Sequence, residues 1–334
     1  MALSEFELIK RYFAARGPIR SDVVLGVGDD GALLEVPAGN ELVVTVDTLV
    51  AGVHFPVATA PDAIGYKALA VSLSDLAAMA ATPAWATLAL TLPEPDEAWL
   101  DAFCDGLFRL ATKYDVQLVG GDTTRGPLSV TIQAHGLVPR GVATRRRGSR
   151  AGDLIYVTGT FGDAGLGLRC LDAGEAIAVN SEEQSRLVAK LNYPEPRINE
   201  GLMLRGLATA AIDVSDGLVA DLNHILESSN VGASIELGKV PVSPAVSAYV
   251  NRMNIPAFPL TAGDDYELCF TLPAAQKPVV EKQFAASESG CHCIGRIEEQ
   301  PGLRCIGYHG ELLQLGYGGY RHFYQSVKGI NRHG

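Results

Sequence analysis

No stretch of this 334-residue chain stays apolar for the ~18–20 residues that a membrane-crossing helix needs. Cysteine is scarce: six residues stand at 104, 170, 269, 291, 293 and 305, with no C-x-x-C knuckle among them. A structural zinc ribbon is therefore excluded, and unpaired thiols fit a reducing compartment. The one close pair, Cys291 and Cys293 around His292, falls in an alternating run over 291–297 that reads as a strand rather than a ligand set. Basic residues are outnumbered, 27 against 38 acids for a net charge of −11, and they cluster only at Arg145-Arg146-Arg147 with Arg150 close behind. A nucleic-acid surface needs a basic stripe and is not expected, nor is a membrane partner. The first ten residues carry Glu5 and Glu7 where a secretory leader has its basic region, so the expectation is a cytoplasmic protein.

Familiar nucleotide signatures are missing too. There is no G-x-x-x-x-G-K-[ST] and no protein-kinase H-R-D or D-F-G set. The segment from Gly26 to Gly31 spells G-x-G-x-x-G, but Asp29 and Asp30 put negative charge where a pyrophosphate would sit. The run from Ala32 to Val36, stopped by Pro37, is too short for the helix that a dinucleotide fingerprint requires.

What the chain does have is length for two cores and an ordinary globular balance, 47% apolar and 19% charged. Helical spacing runs over 4–16, 62–80 (opened by Pro61) and 97–114, and strand-like runs fall at 42–46, 85–92, 117–119 and 128–138. A short basic, glycine-containing stretch at 141–153 marks a boundary, after which the alternation begins again. Strands are expected at 153–158, 233–236, 268–270 and 291–297, and helices at 162–173, 196–207 and 217–228. The fold class expected is α/β (α+β), with domains at 1–148 and 149–334.

The strongest local signal is the number of aspartates at turns and strand ends, most of them beside glycine: Asp29-Asp30, Asp47, Asp75, Asp122, Asp213 with Asp216, and Asp264-Asp265. One such aspartate is ordinary turn chemistry. The set is harder to explain that way, because Asp47, Asp122 and Asp213 each follow apolar strand-like residues, and Asp75 interrupts an apolar helix where an unpaired carboxylate is costly. Converging carboxylates need cations, and magnesium, which takes hard oxygen ligands and bridges to phosphates, points to phosphoryl transfer.

In order, the motifs at Gly26 to Asp30, Asp47 to Phe55, Tyr66 to Met79, Leu118 to Gly126, Tyr156 to Thr160, Ile212 to Leu218 and Tyr266 to Phe270 resemble the bacterial thiamine-monophosphate kinase family. The likeness covers nearly the whole chain; the segments from Asp47 to Phe55 and from Gly120 to Gly126 are specific to that family, while the others are shared with its aminoimidazole ribonucleotide synthetase-related superfamily. The resemblance implies a two-domain PurM-like fold. Its N-terminal domain would form a β-barrel across a homodimer, and a C-terminal α/β domain would complete the site. It implies direct transfer from ATP to the substrate phosphate without a phosphoenzyme, several Mg2+ ions, and ATP and thiamine monophosphate as partners; assistance by K+ stays open. Residue by residue, Asp30, Thr45, Asp47, Asp75, Asp122, Asp213 and Asp216 match metal positions, and Val46 stands where the family has a metal-contacting threonine. Gly121, Asp122, Arg146 and Ser215 match nucleotide positions, and His54, Asp264 and Tyr317 match substrate positions. Asp264 replaces a glutamate and Tyr317 a tryptophan, which shortens one reach and keeps a flat aromatic face. No residue stands out as an obligatory acid or base, and an ionised acceptor phosphate needs none. The alternatives are a sister enzyme of the superfamily or a nucleotide-binding regulator without catalysis. The first cysteine falls at Cys104 and the chain ends without one, unlike the reactive-cysteine sisters.

Overall fold

The computed structural model describes residues 5–14, 16–172 and 177–313. The chain opens with α1 (Glu5–Leu8), a π-helical turn (Ile9–Phe13) and a small hairpin of β1 (Val23–Leu25) and β2 (Leu33–Leu34). Next come β3 (Asn40–Val50), α2 (Pro61–Ala78), β4 (Thr82–Leu92), α3 (Glu97–Lys113), β5 (Gln117–Arg125) and β6 (Ser129–Pro139). The second half runs β7 (Leu154–Val157), α4 (Asp163–Leu171), α5 (Ser181–Asn192), α6 (Ile198–Met203), β8 (Ala210–Val214), α7 (Leu218–Ser229), β9 (Gly232–Glu236), α8 (Pro244–Met253) and α9 (Phe258–Thr261). It closes with β10 (Glu267–Leu272), α10 (Lys277–Phe284), β11 (His292–Glu298), β12 (Gly302–Ile306) and β13 (Leu312–Leu313). The expected α/β class is what the chain adopts.

Two sheets carry the architecture. The first has the order β3-β6-β4-β5, with β4 and β5 parallel and the other pairs antiparallel. The second has the order β13-β12-β9-β11-β7-β10-β8. Several elements run further than local pattern suggests. Strand β3 continues through Asp47-Thr48-Leu49-Val50 and β5 through Asp122-Thr123-Thr124-Arg125, because β-branched residues keep satisfying the pleat past the aspartate. Asp47 and Asp122 therefore sit inside strands, not at their ends as expected; Asp213 is next to last in β8. The β1–β2 hairpin, the helices α5, α8, α9 and α10, and the strands β12 and β13 are additions to the expected elements, since patterns this short are set by packing more than by period.

Helix α2 is the pivot. Pro61 starts it, with a fixed φ that suits a first turn, and its Ala, Ser and Gly residues are buried on every side. Small residues permit close approach: a Cβ on Gly65 would lie 2.1 Å from the Phe103 carbonyl oxygen, and one on Gly106 1.8 Å from that of Asp62. Helix α3 locks against α2 there. The opposite side of α2 meets β8 and α6 of the second unit, so one hydrophobic core runs from Leu69, Leu73 and Leu76 to Tyr156, Leu268 and Phe270.

Candidate active site

Between the two units opens a cleft of about 1240 Å³, lined by β3, the 52–56 loop and α2 of the first unit and by α4, the loop after β8 and the loop before β10 of the second. Val46, Asp47, His54, Asp75, Asp213, Ser215, Asp216 and Asp264 all face it. Asp47 comes from β3, Asp75 from α2 and Asp213 from β8, so three elements far apart in sequence place their carboxylates together. Thr45, just beside the cleft, donates its hydroxyl to Asp75, and Ser72 Oγ donates to Asp47 Oδ2 at 2.8 Å. Among the described residues no lysine or arginine lines this space.

Burial and crowding of like charge are visible in the carboxyl groups themselves. Burial, then the Asp75 charge, pushes the Asp47 carboxyl up to about 6, against the pull of the Ser72 hydroxyl. Asp213, 5% exposed, is driven well above the carboxylate range by burial first and by Asp75 next. The Asp213-Val214-Ser215-Asp216-Gly217 turn is shaped from below by Asp221, whose Oδ2 accepts the N–H groups of Ser215, Asp216 and Gly217 at 3.0, 3.0 and 3.2 Å. Burial and the Asp216 charge raise the Asp221 carboxyl to about 7 in spite of those donors.

At the other end of the cleft the chemistry changes. His54 Nδ1 accepts the Val50 N–H at 3.0 Å, which leaves Nε2 as the protonated nitrogen of a neutral ring. Asp264 is paired with Lys67, Nζ to Oδ1 at 2.8 Å, and Tyr266 donates its hydroxyl to the same oxygen at 3.2 Å. Lys67, Tyr266 and Asp221 are not among the residues that the sequence motifs single out. Lys67 has a signal, as the only basic residue of an otherwise apolar helix, but its partner is fixed by the tertiary fold alone.

The remaining expected residues lie elsewhere. Asp30, Gly121 and Asp122 line a second cavity of about 480 Å³, between the Gly28–Gly31 turn and the edge strand β5. Gly121 is obligatory there: φ is +152°, and a Cβ would meet the Leu88 carbonyl oxygen at 1.9 Å. Arg146 sits on an exposed loop and lines neither cavity, its loop held by backbone bonds such as Ala211 N–H to Arg145 O at 3.0 Å. Tyr317 lies outside the described residues.

Family models for AIR synthase related protein match this chain, the N-terminal domain over residues 28–138 and the C-terminal domain over 150–307. Over 323 residues the chain is 48% identical to the thiamine-monophosphate kinase of Escherichia coli (strain K12), covering 97% of this chain and 99% of that one. The chain belongs to the thiamine-monophosphate kinase family. The crystal structure of the family member from Stenotrophomonas maltophilia K279a has a TM-score of 0.84 at 47% identity and covers 94% of this chain and 99% of that chain. AaThiL complexed with AMPPCP and TMP gives a TM-score of 0.75 at 31% identity, covering 89% and 92%. Among the described residues of the present family member, no helix is long and apolar enough to cross a membrane.

Proposed function

We propose that this chain transfers the γ-phosphoryl group of ATP to the phosphate of thiamine monophosphate, forming thiamine diphosphate in the cytoplasm. The observation that carries the reading is the cleft, where Asp47, Asp75 and Asp213, buried or half-buried and, among the described residues, without a basic partner, face residues suited to an organic substrate. Full-length identity of 48% to an enzyme of that name supports it.

The donor set fits magnesium. It is all hard oxygen, the Asp47 and Asp213 carboxyls are raised by burial and by the Asp75 charge, and a divalent cation relieves both. Asp47, Asp75, Asp213 and Asp216 would hold such ions in the cleft, with Thr45 orienting Asp75 and Val46 adding no ligand. Bound magnesium supplies charge neutralisation at the transferring phosphoryl group. The Ser215 turn, pinned by Asp221, would receive nucleotide, with Gly121, Asp122 and the Arg146 guanidinium as further contacts. His54 Nε2–H and Asp264 would orient the substrate, and Tyr317 would offer a ring face. The acceptor phosphate is already an oxyanion, so no side chain has to take a proton from it. Positioning in line and exclusion of water by the cleft are the protein's own contributions.

The acids are divided between two cavities, and a homodimer reunites them. Strands β3 and β5 are the two edges of one sheet, three strand spacings or about 14 Å apart. Edge β3 exposes Leu42, Val44 and Val46 at 43%, 51% and 60%, an apolar row that a second copy would cover by extending the sheet toward a barrel. In that assembly residues 1–148 dimerise and bind nucleotide, and residues 149–334 complete each site.

Purified protein with ATP, Mg2+ and thiamine monophosphate should yield thiamine diphosphate by chromatography. Thiamine and an aminoimidazole precursor should not react, and chelator or Asp30→Ala should abolish turnover. ATP binding without diphosphate formation would overturn the substrate assignment.

A further inference from the structure

We infer that Lys67 is a positioning residue: it grips one oxygen of Asp264 so that the other is presented to a nitrogen donor or cationic ring on the substrate. The inference rests on the reading of Asp264 as a substrate contact.

Lys67 is 3% exposed, and its Nζ reaches Asp264 Oδ1 at 2.8 Å. A buried ammonium is expensive unless paired, so its presence in a helix of small apolar residues is a constraint the fold keeps. Tyr266 adds its hydroxyl to the same Oδ1. The Lys67 ion pair at 2.8 Å and the Tyr266 hydroxyl bond both fall on Oδ1, while the Asp264 side chain remains 30% exposed at the cleft.

The backbone around Asp264 is held against its preference. Asp264 (φ +66°) and Tyr266 (φ +50°) both occupy the left-handed region without being glycine. Three bonds maintain that shape: Asp264 N–H to Ser215 O and Tyr266 N–H to Val214 O, each at 2.8 Å, and the buried Asp265 carboxylate accepting the Gly162 N–H at 3.0 and 3.1 Å. A loop fixed this firmly sets where the carboxylate stands; Lys67 sets which way it turns.

Helix α2 also separates two kinds of carboxylate. Lys67, Val71 and Asp75 share one stripe at i, i+4 and i+8, and the two ends are about 12 Å apart. At the Asp75 end the neighbours of each acid are other acids, the setting that calls for metal. At the Lys67 end the acid already has a cation, so a divalent ion gains little there and the carboxylate acts as a hydrogen-bond acceptor.

The test is steady-state kinetics of wild type, Lys67→Met, Asp264→Asn and the double variant, with ATP and thiamine monophosphate varied separately. Lys67→Met should raise KM for thiamine monophosphate about tenfold, the scale of one charge-assisted contact, with kcat and KM for ATP within about twofold of wild type. Asp264→Asn should raise the same KM, and the double variant should match Asp264→Asn alone, since Lys67 acts through that carboxylate. The double variant removes both charges, so it keeps the test alive if Lys67→Met fails to fold with Asp264 left unpaired. Equal losses in both KM values, a fall in kcat alone, or multiplying effects in the double variant would overturn the inference. If Asp264→Asn leaves KM for thiamine monophosphate unchanged, the substrate reading of Asp264 falls instead.

Discussion

The cleft and the smaller cavity are both lined by aspartates, yet they hold them in opposite settings. In the cleft, Asp213 is buried and Asp47 half-buried, and their carboxyls rise because desolvation, and then the Asp75 charge, disfavours the ionised form. In the smaller cavity, Asp30 and Asp122 are exposed along an open strand edge. The difference teaches where each cavity gets its walls. One lies between two units of the same chain, and the other lies along the edge strand β5, where a further surface has room to add to it.

The sharpest test of this contrast is Asp213→Asn. Turnover should fall by at least about a thousandfold, as expected for losing a charge-stabilising group, while the metal-free protein should melt at a higher temperature because a strained buried acid is gone. A lower melting temperature would show that the acid is stabilised by something other than metal. Less drastic is a mixing experiment between Asp75→Asn and Asp122→Asn. If one site draws Asp75 from one copy and Asp122 from the other, subunit exchange of the two inactive variants should restore about a quarter of wild-type activity, since half the dimers are mixed and each has one intact site. No recovery would mean that both acids serve within one chain.

The smallest effect is one of pH. The Asp47 carboxyl is raised from 3.8 to about 6 and that of Asp221 to about 7, so both favour the folded state when protonated. Their contribution is complete below about pH 4 and is lost as pH rises through 6 to 7; for Asp47 it is at most about 3 kcal/mol. The metal-free melting temperature should therefore fall between pH 5 and 7.5, and Mg2+ with ATP should narrow the gap at the upper end. In the smaller cavity Asp30→Asn should leave that profile unchanged. A melting temperature that climbs across this window would contradict the electrostatic picture of the cleft.

Much of this molecule is legible in its sequence. The Gly-Asp motifs, the apolar helix with Asp75 in its middle and the strand around His292 are local patterns, and local patterns survive folding when they agree with it. Less legible are the lengths of β3 and β5, because an aspartate inside a strand reads as a turn until its neighbours' ladder is known. Asp221 is hidden at that level because a carboxylate in the first turn of α7 has an ordinary explanation in the helix dipole, and its three backbone donors are visible only in three dimensions.

The sequence by itself determined the inventory: many hard-oxygen ligands, few cations near them, no thiol chemistry and the order of motifs that marks the family. The tertiary structure decided the partnerships. It set Asp47, Asp75 and Asp213 against one another without relief, gave Asp264 to Lys67, and left Asp30 and Asp122 at a separate, open edge. Residue type fixes what a side chain can bind. Burial and neighbours, which exist only once distant segments are packed together, fix what charge it carries and what it is left to bind.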